Sequence, residues 1–275
     1  MGDVIMRTLP FSRILFLTNR ERFEEIRTKA ASFCSLYVGQ NIIRDAVFLI
    51  GKNYSELMNM PLEWLRFPID DENLSAYTFI RRNRIFVTVN TALPLSKQIY
   101  AAAHELYHIR CYLEENDSSL LSSGSMLKND ETSCKEEIEV NAFASLILAP
   151  TDALNQQIRI LHIDRDNFNT DSVLSLMDIF ALPWKAMVLR LYEEKIITEE
   201  KAVELYTVPA DEIRKRIGIT GKAKCWDNPG PGYVEFGSLY ENLTEITENE
   251  LLPQSRLDGD WTRFNTIKAK YETVS

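Results

Sequence analysis

Residues 101–108 read Ala101-Ala102-Ala103-His104-Glu105-Leu106-Tyr107-His108. The alanine run favours helix and lets neighbouring elements approach closely. At 3.6 residues per turn, imidazoles four apart leave a helix on one face, near enough to grip a single ion. A helix from about Ser96 to Leu113 then sorts its residues into two stripes. Ile99, Ala102, Leu106, Ile109 and Leu113 form a packing stripe, whereas Ala101, His104, His108 and Cys111 form a separate one. Glu105 sits beside the ion the histidines would share.

Zinc takes neutral imidazole nitrogen and carboxylate oxygen, and an open zinc site keeps three protein ligands and one position for water. Bound zinc brings the pKa of that water to about 7, within reach of a neighbouring carboxylate acting as base. The H-E-x-x-H run therefore supplies two ligands, His104 and His108, and a base, Glu105, but lacks one ligand. The chain has 3 histidines, so the third ligand is His162, a cysteine or a carboxylate.

Residues 136–148 offer the best carboxylate. They read as a second helix ending near Pro150, on which Glu137, Asn141, Ala144 and Leu148 share a stripe. Small Ala144 permits close approach to the first helix. From this face Glu137 can reach a metal, and Asn141, one turn on, can offer its amide oxygen to a ligand imidazole. Glu136 and Glu139 project about 100° and 200° away and are expected in solvent.

Upstream, Thr18-Asn19-Arg20-Glu21 resembles a capping box opening a helix through about Tyr37, with Phe23, Ile26, Ala30 and Phe33 on one side. Ala46 to Ile50 reads as a short buried strand. Ser75–Ile80 and Ile85–Asn90 alternate about Arg81-Arg82-Asn83-Arg84 and predict a β-hairpin. This order predicts an α+β fold, a small, mainly antiparallel sheet packed on helices. The hairpin could hold a substrate backbone by strand addition, or be purely structural.

These motifs together resemble the ImmA/IrrE-type metallopeptidases. The family pattern is a strand ending in Asn, here Ile85–Asn90; a proline-containing link, here Pro94; an alanine-rich H-E-L-x-H helix, here 101–108; and a later helix matched by Glu137, Asn141, Phe143, Ala144, Leu148 and Pro150. Phe180-Ala181-Leu182-Pro183 and the following Arg190-Leu191 extend the likeness over residues 1–195. Tyr107 stands where glycine is usual and Val140 where alanine is usual. The resemblance implies a zincin-like core over 1–195; residues 196–275 lie beyond it and read as a mostly helical extension of unassigned role, for recognition or dimerisation. It also implies Zn2+ held by His104, His108 and Glu137, and peptide hydrolysis with Glu105 as base. The implied substrate is a helix-turn-helix repressor whose cleavage releases genes of a mobile element, a phage or a stress response.

Composition bears on the alternatives. The 275 residues, 45% hydrophobic, are enough for one substantial core and a smaller second one. No apolar run approaches the roughly 20 residues of a membrane span. Arg7 and Arg13 interrupt the apolar pieces at the N-terminus, so a cytoplasmic protein is expected. Cys34, Cys111, Cys134 and Cys225 form no C-x-x-C pair and read as free thiols. A net charge of −9, from 31 basic and 40 acidic side chains, opposes direct nucleic-acid binding. The densest basic patch is Arg214-Lys215-Arg216 with Lys222 and Lys224, beside a pair of short helices (Thr198–Tyr206, and Pro209 to near Gly218) that could pass for helix-turn-helix. Two other classes stay open: a non-proteolytic regulator with a structural zinc, and a DNA-associated factor acting through these C-terminal helices. The polar stretch 114–133 reads as a long flexible connection, or as a lid.

Overall fold

In a computed structural model, which describes residues 9–38, 42–115, 135–227 and 234–272, the H-E-x-x-H stretch lies inside a 21-residue helix, Leu95–Glu115. Of the stretch 114–133, expected as a flexible connection or a lid, Glu114 and Glu115 end this helix, and 116–133, with Cys134, lie outside the described residues. The chain falls into two units, one of residues 45–131 and 228–275, the other of residues 1–44 and 132–227. Residues 196–275 are mostly helical and are shared between the two.

The first unit holds the sheet. Helix α3 (Val47–Leu57) precedes β1 (Leu62–Phe67), β2 (Ala76–Arg81), β3 (Arg84–Asn90) and α4 (Leu95–Glu115). The expected strand at 46–50 is the start of α3. Its buried residues, Val47, Ile50, Gly51 and Tyr54, follow the helical spacing i, i+3, i+4, i+7, while Leu49 is exposed. A five-residue apolar run fits strand and helix equally, and the continuation to Tyr54 decides it.

The hairpin of β2 and β3 forms as expected. Its two-residue turn puts Arg82 and Asn83 at φ +50° and +57°, the paired left-handed residues of a type I′ turn. The sheet itself is mixed, in the order β2-β3-β1-β4. Strand β1 was not foreseen; it runs parallel to β3, so the sheet departs from an antiparallel pattern at its centre. The short β4 (Glu235–Phe236) pairs antiparallel with β1. One face of the sheet buries Leu62, Trp64, Ala76, Thr78, Ile85, Val87 and Val89, and α3 and α4 pack in this unit with it. Gly51 matters here, because a Cβ on it would lie 2.8 Å from Trp64 and 2.9 Å from Leu106 of α4.

Asn90, fully buried at the end of β3, governs the entry into α4. Its Oδ1 accepts from the Ile69 and Ala92 amides (2.9 and 3.0 Å), and its Nδ2 donates to the Asp71 and Leu74 carbonyls (3.0 Å each). That uses the full capacity of one side-chain amide. Gln98, also buried, donates to the carbonyl of Leu93 at 2.8 Å. On the remote edge, the Glu63 carboxylate accepts from the amide and hydroxyl of Ser238 (2.8 and 2.7 Å), anchoring the segment that leads to helices Leu239–Glu248 and Gln254–Glu272. Phe67, Phe236 and Tyr271 complete that anchor as a ring cluster.

The second unit is helical. It comprises α1 (Leu15–Thr18), α2 (Arg20–Phe33), a π-helical turn (Cys34–Val38), and, among the described residues of 132–227, α5 (Lys135–Leu148) and six further helices to Asp227. Asn19 caps α2 by accepting from the Arg22 amide at 3.0 Å. Thr18, expected in that role, ends α1 instead, its hydroxyl spent on the Ile14 carbonyl. Helices α2 and α5 are joined by the Phe33–Phe143 ring contact and by Arg22, which makes two bonds to Glu139 (2.8 and 2.6 Å). Arg190 is fully buried on helix Trp184–Glu193. It donates to the Ala149 carbonyl just beyond α5 and pairs with Glu193 (2.8 Å) and Glu194 (3.0 Å). Such donors meet the carbonyls that a helix end leaves without intrahelical partners. No single helix among the described residues is long and apolar enough to cross a membrane; Thr170–Phe180 and Trp184–Glu193 would pass only jointly, and they bend by 101°.

Candidate metal centre

Helix α4 is anchored by Asn90 at its start and packed through Leu106, and this fixes which side chains share a face. His104, Glu105 and His108 are buried, at 0%, 0% and 1% exposure. Their ligand atoms all lie within 4.8 Å of one another, a group able to hold a metal ion. The two Nε2 atoms are 3.2 Å apart, with the rings tilted by 60°. Two imidazoles bound to one tetrahedral ion at about 2.0–2.1 Å would hold their nitrogens roughly 3.3 Å apart, so this spacing suits a shared ion. Imidazole pairs of this kind suit borderline cations, zinc among them, and the Glu105 carboxylate stands beside the pair.

Burying a carboxylate is costly unless donors reach it. For Glu105 one donor is Thr78, whose hydroxyl lies 2.6 Å from Oε2. That length belongs to charge-assisted O–H···O⁻ bonds. Thr78 was not singled out from the sequence. Its signal was there, for it is the sole polar residue among the buried positions of an otherwise apolar sheet face.

The other proposed site residues belong to the helical unit. Glu137 and Asn141 lie on α5, both partly exposed and spaced one turn apart as expected. Glu139, expected in solvent, is instead 19% exposed and committed to Arg22. Of the alternative ligands, His162 is exposed on the turn after helix Thr151–Ile160, in a left-handed conformation (φ +52°). Cys111 is buried but is not among the three grouped side chains. Burial pushes the Cys34 thiol up to about 11. Tyr107, where the resembled family has glycine, is buried at 3% exposure.

The C-terminal basic patch is partly neutralised. Helices Glu199–Tyr206 and Ala210–Thr220 form at the expected places, but Arg216 makes two bonds to Asp171 (2.6 and 2.5 Å) and Lys222 donates to Ser175.

No family model and no curated protein matches this chain.

Proposed function

We propose that this protein is a zinc-dependent endopeptidase with a zincin-like core, as its resemblance to the ImmA/IrrE-type enzymes implies. The observation that carries the reading is the buried pair of Nε2 atoms 3.2 Å apart with the Glu105 carboxylate beside it. His104 and His108 would hold the ion; the resemblance implies Glu137 as third ligand and Asn141 as the amide that supports a ligand imidazole. When bound, zinc supplies a Lewis acid that acidifies a water and polarises a peptide carbonyl. Glu105 would serve as the base, taking a proton from the attacking water and returning it to the leaving amine nitrogen. Its burial limits bulk water at the carboxylate, which strengthens each electrostatic interaction made there.

The proposed substrate is a helix-turn-helix repressor in the cytoplasm, cut to release the genes it silences. The test is metal analysis with co-expression of a candidate repressor. Wild type should carry zinc and cleave; Glu105→Gln should keep zinc and fold yet stop cleaving; His108→Ala should lose the zinc. Unaltered repressor processing by Glu105→Gln would overturn the proposal.

A further inference from the structure

The geometry points to Thr78 as the positioning residue that keeps Glu105 beside the histidine pair and off the metal. The inference rests on the metallopeptidase reading and adds to it a residue from the sheet. The carboxylate lies close enough to both imidazoles to join them as a ligand, within 4.8 Å. A base, however, has to remain one water away from the ion. Something must therefore restrain it, and the short bond from Thr78 pulls Oε2 toward β2.

The choice of residue supports this role. Strand propensity and packing at position 78 would be met as well by valine, which has the same shape without the hydroxyl. The hydroxyl is fixed in turn, since Thr78 is 5% exposed and paired through β2 with Val87 of β3. Threonine χ1 is restricted by its branched Cβ, so the donor's direction is set by the strand. The sheet thus fixes the position of one carboxylate oxygen relative to a helix that carries the ligands.

The test uses full-length protein loaded with Co2+ in place of zinc, read by visible absorption and by titration of the metal-free protein. Thr78→Ser keeps the hydroxyl and should reproduce the wild-type spectrum and affinity. Thr78→Val, with Thr78→Ala as a second variant lacking the donor, should release the carboxylate toward the metal. The visible bands should weaken as the ion gains a ligand, and Co2+ should bind about tenfold tighter, the usual scale for changes around a metal's ligands. Adding Glu105→Gln to Thr78→Val should abolish both effects, which a purely structural role would not predict. Spectra and affinity of folded Thr78→Val equal to wild type overturn the inference alone. Loss of fold in both Val and Ala variants, with Ser intact, also overturns it, because the hydroxyl is then structural. Absence of Co2+ binding by wild type overturns the metallopeptidase reading itself.

Discussion

Replacing Arg190 by methionine tests the helical unit most sharply. The guanidinium is fully buried and holds Glu193, Glu194 and the Ala149 carbonyl. Methionine fills the space with an unbranched apolar chain but leaves Glu193, 8% exposed, without its cation. Glu194 keeps Arg27 at 2.7 Å, so the loss falls mainly on Glu193 and the carbonyl. Removing one member of a buried pair costs about 3–5 kcal/mol. Glu193 limits its own share by taking a proton. From an unfolded value of about 4.3, neutralisation at pH 7 costs no more than roughly 3.7 kcal/mol. The expected loss is therefore about 3–4 kcal/mol, or roughly 6–16 °C in Tm for a domain of this size.

The pH dependence has a definite sign. Burial already raises the Glu193 pKa, with Arg190 opposing that rise, so losing Arg190 raises it further. A carboxyl whose folded pKa lies above its unfolded value contributes no penalty below the unfolded value and a full one above the folded value. The deficit of Arg190→Met should therefore shrink from pH 7 toward pH 5, by up to about 1.4 kcal/mol per unit. Adding Glu193→Gln should recover part of it at pH 7. Urea unfolding of the three proteins across this range provides the assay. A loss below about 1 kcal/mol that does not vary with pH would refute the reasoning.

Gly51→Ala should lower the urea midpoint: overpacking against Trp64 and Leu106 costs about 1–3 kcal/mol, outweighing roughly 1 kcal/mol of helix propensity. Gly237→Ala strains a residue at φ +57° and presses on the Glu63 carboxylate, so hydrogen exchange of the Glu235 to Ser238 amides should accelerate; unchanged exchange contradicts the anchor. Arg216 holds Asp171 below the usual carboxylate range, so its stabilisation is present above the unfolded value of about 3.9 and is lost as pH falls through the depressed one. Asp171→Asn should flatten the acid limb of a Tm–pH profile there.

The elements nearest the H-E-x-x-H stretch are the most legible in the sequence. Two histidines at i, i+4, an alanine run and a separate apolar stripe admit one helix and one working face, and the hairpin announces itself by alternation about Arg82-Asn83. Helix α3 was misread because residues 46–50 are uniformly apolar, and only Tyr54 restores the period. β1 escaped because Glu63 and Arg66 blur its alternation; both carry ion pairs, Glu63 with Arg84 and Arg66 with Glu235, that only the folded chain reveals. Glu139 shows the same limit, since a charge that looks solvated on a helical wheel is held by Arg22, 117 positions away. Thr78 is easily passed over for the converse reason. Threonine is ordinary in a strand, and its partner on α4 is 27 residues on.

X-ray absorption at the zinc edge of the purified protein addresses the central claim most directly. Imidazole scattering with all near neighbours nitrogen or oxygen at about 2.0–2.1 Å is the expected result, reduced in imidazole content by His104→Ala. A sulfur shell at about 2.3 Å, or protein that binds no metal, would contradict it.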